Sequence, residues 1–187
     1  MKKRNKQSGF SLIELLVVIA VILIIAAIAI PKLLAARTAA NEGDATGALK
    51  QFSNAQALFQ NNYNGFAATI PQLGPASAGS TAPGTSANGS FMDYSFTSAL
   101  VGSTAAKNGY LFQLTVNTPN VPPVANDSGA GALAASYTID AVPANPGQSG
   151  NKWYCMSDDG VVRVNPLRGS AGAASGGLAT CATWPTQ

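Results

Sequence analysis

Residues 9 to 34 read GFSLIELLVVIAVILIIAAIAIPKLL. From Leu15 to Ile30 sixteen consecutive residues are apolar, and between Phe10 and Leu34 only Ser11, Glu14, Pro31 and Lys32 interrupt the run. A helix of about 20 to 25 such residues spans the ~30 Å hydrocarbon core of a bilayer. A cleaved secretory signal has a shorter apolar region of about 7 to 15 residues. Lys2, Lys3, Arg4 and Lys6 precede the run, while only Lys32 and Arg37 closely follow it. The positive-inside bias therefore predicts a cytoplasmic N-terminus, with the rest of the chain outside. A plain single-pass anchor or an uncleaved signal is one reading of such a segment.

Glu14 argues for another. A carboxylate in a membrane-spanning helix is costly and is a functional-site candidate by default, although only ~6 Å of helix separate it from Phe10, which reduces the cost. No Lys or Arg within the segment can reach it, so a cation from another chain is the economical partner. Pro31 removes one backbone hydrogen bond and crowds the preceding turn, which predicts a kink in the helix.

Composition narrows the function classes. Charged residues make up 10% of the 187-residue chain, far below the ~25% of an ordinary cytosolic domain. The length suits one domain plus an extension. Four of the eleven basic residues lie before the apolar run, so the remainder has seven against eight acids and no patch for nucleic acid. The chain has no His, the commonest general base and metal ligand. A phosphate loop, a G-x-S-x-G elbow and a metal-ligand cluster are also missing, so no catalytic, cofactor-binding or metal residues are assigned and a displayed enzyme is disfavoured.

The basic leader, Gly9-Phe10-Ser11-Leu12-Ile13-Glu14 and the apolar stretch ending at Ile30-Pro31 closely resemble the N-terminal motif of type IV prepilins and of type II secretion pseudopilins. The resemblance covers roughly residues 1 to 63. It implies cleavage between Gly9 and Phe10 by a prepilin peptidase and N-methylation of Phe10. It further implies that Glu14 meets the Phe10 amine of a neighbouring subunit during assembly, and that the helix unravels locally before Pro31 under load. The fold implied is α+β, the type IV pilin fold, with a long N-terminal helix whose second half packs on a small antiparallel β-sheet head. Residues 1–9 are then a cytoplasmic leader. Residues 10–63 are the helix, divided into an anchor and filament core at 10–34 and an amphipathic half at 35–63. Residues 64–187 form the head. The function implied is a structural subunit of a type IV pilus for adhesion, motility or DNA uptake, the alternative being the major pseudopilin of a type II secretion system. Its partners would be further copies of the chain, the peptidase, an inner-membrane assembly platform with its ATPase, and lipid before assembly. It would sit in the inner membrane and then in an extracellular filament.

Downstream, the helical pattern continues: Ala45, Leu49, Phe52, Gln56, Phe59 and Tyr63 recur at three- and four-residue steps. One helix from Phe10 to Asn62 would be about 80 Å long. Gly43 and Gly47 weaken its middle, as tolerated glycines or as a site of close subunit contact. Tyr110, Phe112, Leu114 and Val116 alternate with Leu111, Gln113, Thr115 and Asn117 as in a half-buried strand. Ser136 to Val142, Lys152 to Met156 and Val161 to Asn165 read as further strands, the last two joined by an Asp158-Asp159-Gly160 turn. Residues 74–90 are uncharged and small, which predicts a surface loop and a possible site for glycans. Phe91 to Leu100 fits a short helix or a strand.

Cys155 and Cys181 both follow the expected export, where disulfides persist. A bridge would tie the glycine-rich stretch Gly169 to Gly177 to the sheet, and it resembles the disulfide-bounded C-terminal region of many pilins; two free thiols are the alternative. Asp158 and Asp159 are candidate calcium ligands, since some pseudopilins hold calcium in C-terminal loops. Few other acids lie nearby, and a solvated hairpin is the favoured reading.

Overall fold

The computed structural model describes residues 10–80, 84–117, 133–165 and 181–187. It divides into two compact units, Met1–Arg37 and Thr38–Gln187. Helix α1, Leu12–Tyr63, runs through Pro31 without interruption. Between Thr38 and Tyr63 its buried residues include Ala45, Ala48, Leu49, Phe52, Ala55, Gln56 and Phe59, the stripe expected from three- and four-residue spacing. Ala at three of these positions lets the helix lie close to its partner, and Phe52 and Phe59 fill the space between.

That partner is a four-stranded antiparallel sheet of Tyr110–Asn117 (β2), Ser136–Pro143 (β4), Tyr154–Ser157 (β5) and Val162–Val164 (β6), in the order β2-β4-β5-β6. Strand β2, Tyr110–Asn117, pairs along its whole length with β4, Ser136–Pro143, in a register that sets Phe112 opposite Ala141 and Leu114 opposite Ile139. Strand β5, Tyr154–Ser157, and β6, Val162–Val164, complete it. Tyr110, Phe112, Tyr137, Ile139, Ala141, Tyr154 and Met156 join the helix stripe in one core, with Leu114 and Val116 packed against it. Phe52 lies 5.7 Å from Phe112 and 6.3 Å from Phe96, ring centre to ring centre, so aromatic contacts fasten helix to sheet.

The ambiguous segment 91–100 contains a short helix α2, Tyr94–Thr97, capped by the Asp93 carboxylate, which accepts from the Ser95 N–H at 2.8 Å. A second small sheet pairs β1, Phe66–Ala67, with β3, Leu133–Ala134. Gln56 supports it from inside the core: its Oε1 accepts from Ala67 N–H at 2.8 Å and its Nε2 donates to Ala67 O at 3.2 Å.

Residues 84–90 are better tied than their composition implies. Thr85 and Asn88 bridge each other, Gln72 Nε2 donates to Ser86 O at 2.9 Å, and Ser86 is buried. Backbone bonds to the 3₁₀ turn Ile70–Leu73 supply the order that these small side chains cannot. The C-terminus is held similarly: Val164 N–H donates to Pro185 O and Gln187 N–H to Val162 O.

Candidate functional site

Sixteen large apolar side chains between Leu12 and Leu34 expose from 49% to 80% of their surface, and Phe10 exposes 82%. The head core begins only at Ala45. Buried, each such side chain would contribute about 1.5–3 kcal/mol, so the segment is built to be covered by something outside its own chain. It is long and apolar enough to cross a membrane.

Glu14 sits in the first turn of α1, where its Oε2 accepts from the Ser11 N–H at 3.1 Å. Ser11 and Glu14 thus carry one half of a capping box, a local use for the carboxylate that sequence reasoning about a cationic partner misses. The signal is present as S-x-x-E ahead of the apolar run. Pro31 lies within the helix, and its missing N–H leaves the Ala27 carbonyl without its usual intrahelical donor. Gly9, expected at the cleavage site, and the residues before it lie outside the described residues.

Within the head unit, a polar band fastens the start of its helix to the 145–152 turn. Thr38 Oγ1 donates to Gln148 O at 3.2 Å and Asn41 Nδ2 to Ser149 O at 2.8 Å. Glu42 accepts from the Asn151 N–H at 3.0 Å and pairs with Lys152 Nζ at 3.1 Å. Its side chain is only 12% exposed, whereas that of Lys152 is 42% exposed, so the pair lies at the edge of the fold and not in its core. Tyr110 Oη donates to Lys152 O at 2.9 Å, and a side chain at Gly150 would collide with that hydroxyl. Burial pushes the Tyr110 and Tyr154 hydroxyls well above the ordinary tyrosine range, and nearby Glu42 adds to it. Glu42 has no sequence signal beyond being one acid among eight.

Cys155 and Cys181 form a disulfide with Cα atoms 5.9 Å apart, 26 residues apart in sequence. It joins β5 to the chain's last described segment. The glycine-rich stretch Gly169 to Gly177 between them lies outside the described residues. Asp158-Asp159-Gly160 forms the expected turn between β5 and β6, with Gly160 at φ +72, where a side chain would be strained. Asp159 binds Arg163 through both oxygens, at 3.2 and 2.6 Å, and accepts from the Val161 N–H. These bonds hold its carboxyl below the usual aspartate range, the Arg163 hydrogen bonds chief among the causes. Asp158 is exposed. Among the described residues no group of three or more His, Cys, Asp or Glu is placed to hold a metal.

A long apolar N-terminal helix followed by small antiparallel sheets is an α+β architecture consistent with the type IV pilin fold. The family described as "Prokaryotic N-terminal methylation motif" matches residues 4–30, so the chain carries that motif. Among curated proteins the chain is similar to the "Type IV wide pilus major component PilA4" of Thermus thermophilus, 46% identical over 69 residues. The matched region is 35% of this chain and 53% of that relative, so the chain spans about half the length of the relative.

Proposed function

We propose that this chain is a pilin: a structural subunit that is cleaved between Gly9 and Phe10, methylated at Phe10, held in the inner membrane by residues 10–34, and polymerised through that helix into a type IV pilus. The observation that carries this is the uncovered apolar face of residues 10–34, which coincides with the methylation motif. A single-pass anchor needs an apolar stretch but not the Gly9-Phe10 boundary or Glu14. In the membrane, lipid covers the segment; in a filament, the same segments of other copies do. Glu14 would then supply the charge that meets the Phe10 amine released by cleavage, in surroundings where an unpaired ion is heavily penalised. Pro31 would mark where the helix kinks. The prepilin peptidase, assembly platform and ATPase are the partners that this reading requires.

The test is electron microscopy of filaments sheared from cells that express the chain, with intact-mass analysis of their subunits. Cleavage removes nine residues from 187 and leaves 178, beginning with N-methylated Phe10. Filaments of that subunit are the expected result. A protein that stays in the membrane with Met1 to Gly9 attached overturns the reading.

A further inference from the structure

In three places an asparagine precedes a glycine: Asn64-Gly65, Asn88-Gly89 and Asn108-Gly109. Asn is a chemically labile residue, and a following glycine has no side chain to keep its backbone nitrogen away from the Asn side-chain carbonyl carbon. Attack by that nitrogen closes a five-membered imide, provided that the Asn amide and the glycine N–H are free to turn toward each other. The structure separates the three pairs on this ground. Gly89 N–H donates to Gln72 O at 2.6 Å, and Asn88 exchanges both backbone hydrogen bonds with Thr85, so the nucleophile is engaged and its turn is closed. Asn108 lies in a turn closed by both backbone bonds between Lys107 and Tyr110, and its Nδ2 donates to Asp44 Oδ2 at 3.0 Å. Asn64 is held far less. It follows the last residue of α1 in the left-handed region at φ +61, it is exposed, and its N–H donates to Gln60 O at 2.8 Å. Among the described residues neither its side-chain amide nor the Gly65 N–H makes a hydrogen bond. Turning the Asn64 Cα–C bond moves Gly65 toward the side chain and leaves the bond to Gln60 intact. Gly65 is buried, so its N–H is a costly donor, and forming the imide removes it.

We infer that Asn64 is a site of spontaneous deamidation in the folded protein. The Gly65 nitrogen bonds to Asn64 Cγ, the Cγ–Nδ2 bond breaks, and ammonia departs with the proton that Gly65 gives up through solvent. Water then opens the imide at one of its two carbonyls, which leaves aspartate or isoaspartate at position 64. Either product places a negative charge at the C-terminal end of α1, where the helix dipole opposes it. Isoaspartate also carries the main chain through the side-chain carbons, immediately before the two residues of β1 that pair with β3. The reaction therefore marks aged protein at the joint between the long helix and the small sheet, whether or not the chain is assembled.

Ageing of the purified, disulfide-bonded chain in mildly alkaline buffer tests it. Peptide mass spectrometry follows the one-dalton gain and the isoaspartate isomer at each of the three asparagines, in folded chain and in reduced, denatured chain. Denatured chain should convert all three at rates within about threefold of one another, because only the local sequence then acts, whereas in folded chain Asn64 should convert about tenfold or more faster than Asn88 and Asn108, which wait on local opening. Equal rates at the three sites of the folded chain, faster conversion at Asn88 or Asn108, or an Asn64 that stays intact overturns the inference.

Discussion

At the scale of single residues, Glu14 has two chemical uses that substitutions separate. Gln keeps an oxygen able to accept the Ser11 N–H but carries no charge, whereas Ala loses both. We expect Glu14→Ala and Glu14→Gln alike to be made, inserted and disulfide-bonded yet to form few filaments, because the Phe10 amine is left buried without a counter-charge. Wild-type filament yield from Gln, with loss only in Ala, would assign Glu14 to capping alone. Gln56 is the opposite kind of residue, buried and purely internal. Gln56→Leu would strand both the N–H and the C=O of Ala67, and each orphaned group costs about 1–3 kcal/mol, to be read from denaturant melts. Asp159 makes a pH-dependent contribution. Its folded-state pKa lies below the unfolded value of about 3.9, so the Arg163 pair supports the fold above that pH and loses its effect as pH falls through the folded pKa. Asp159→Asn should cost about 0.2–1 kcal/mol at pH 7, and its difference from wild type should shrink as melts are repeated below about pH 4.

At the scale of elements, the second half of α1 and the sheet are fastened by aromatic contacts, and the C-terminus by a covalent bond. Phe52→Ala should cost about 3–5 kcal/mol, since Phe52 is fully buried between Phe96 and Phe112 and these rings cannot collapse onto a methyl group. Replacing Cys155 and Cys181 with Ser should lower stability by about 2–5 kcal/mol and reduce the amount of exported protein. Unchanged thermal melts with and without reductant would contradict that. The elements also show where sequence reading succeeds. The helix stripe and β2 were legible because an apolar period of 3.6 or 2 is a local property of the chain. The short pair β1 and β3 was not: two residues carry no period, and their pairing depends on Gln56, ten positions before Phe66. Residues 84–90 are the expected loop, but their ordering is not legible in composition, which measures what side chains can bury and takes no account of backbone bonds to the turn at Ile70–Leu73.

At the scale of the whole molecule, the sequence by itself determined the apolar segment, its charged ends, the position of Glu14 and the succession of a long helix and a β-rich region. All of these follow from the order of residues along one chain, because length, hydropathy and charge need no knowledge of what lies beside them. The sequence offers the two cysteines as candidates for a bridge, but their pairing needed β5 and the C-terminal segment brought to a Cα separation of 5.9 Å. Only tertiary structure decided that Glu42 binds Lys152 and the Asn151 backbone, that Asp159 binds Arg163, and that Asp44 accepts from the Asn108 side chain. Among the described residues, which acids gain a cation depends on what the sheet and turns bring within about 3 Å. That outcome depends on three-dimensional distance, which the linear order of eight acids and eleven bases does not contain.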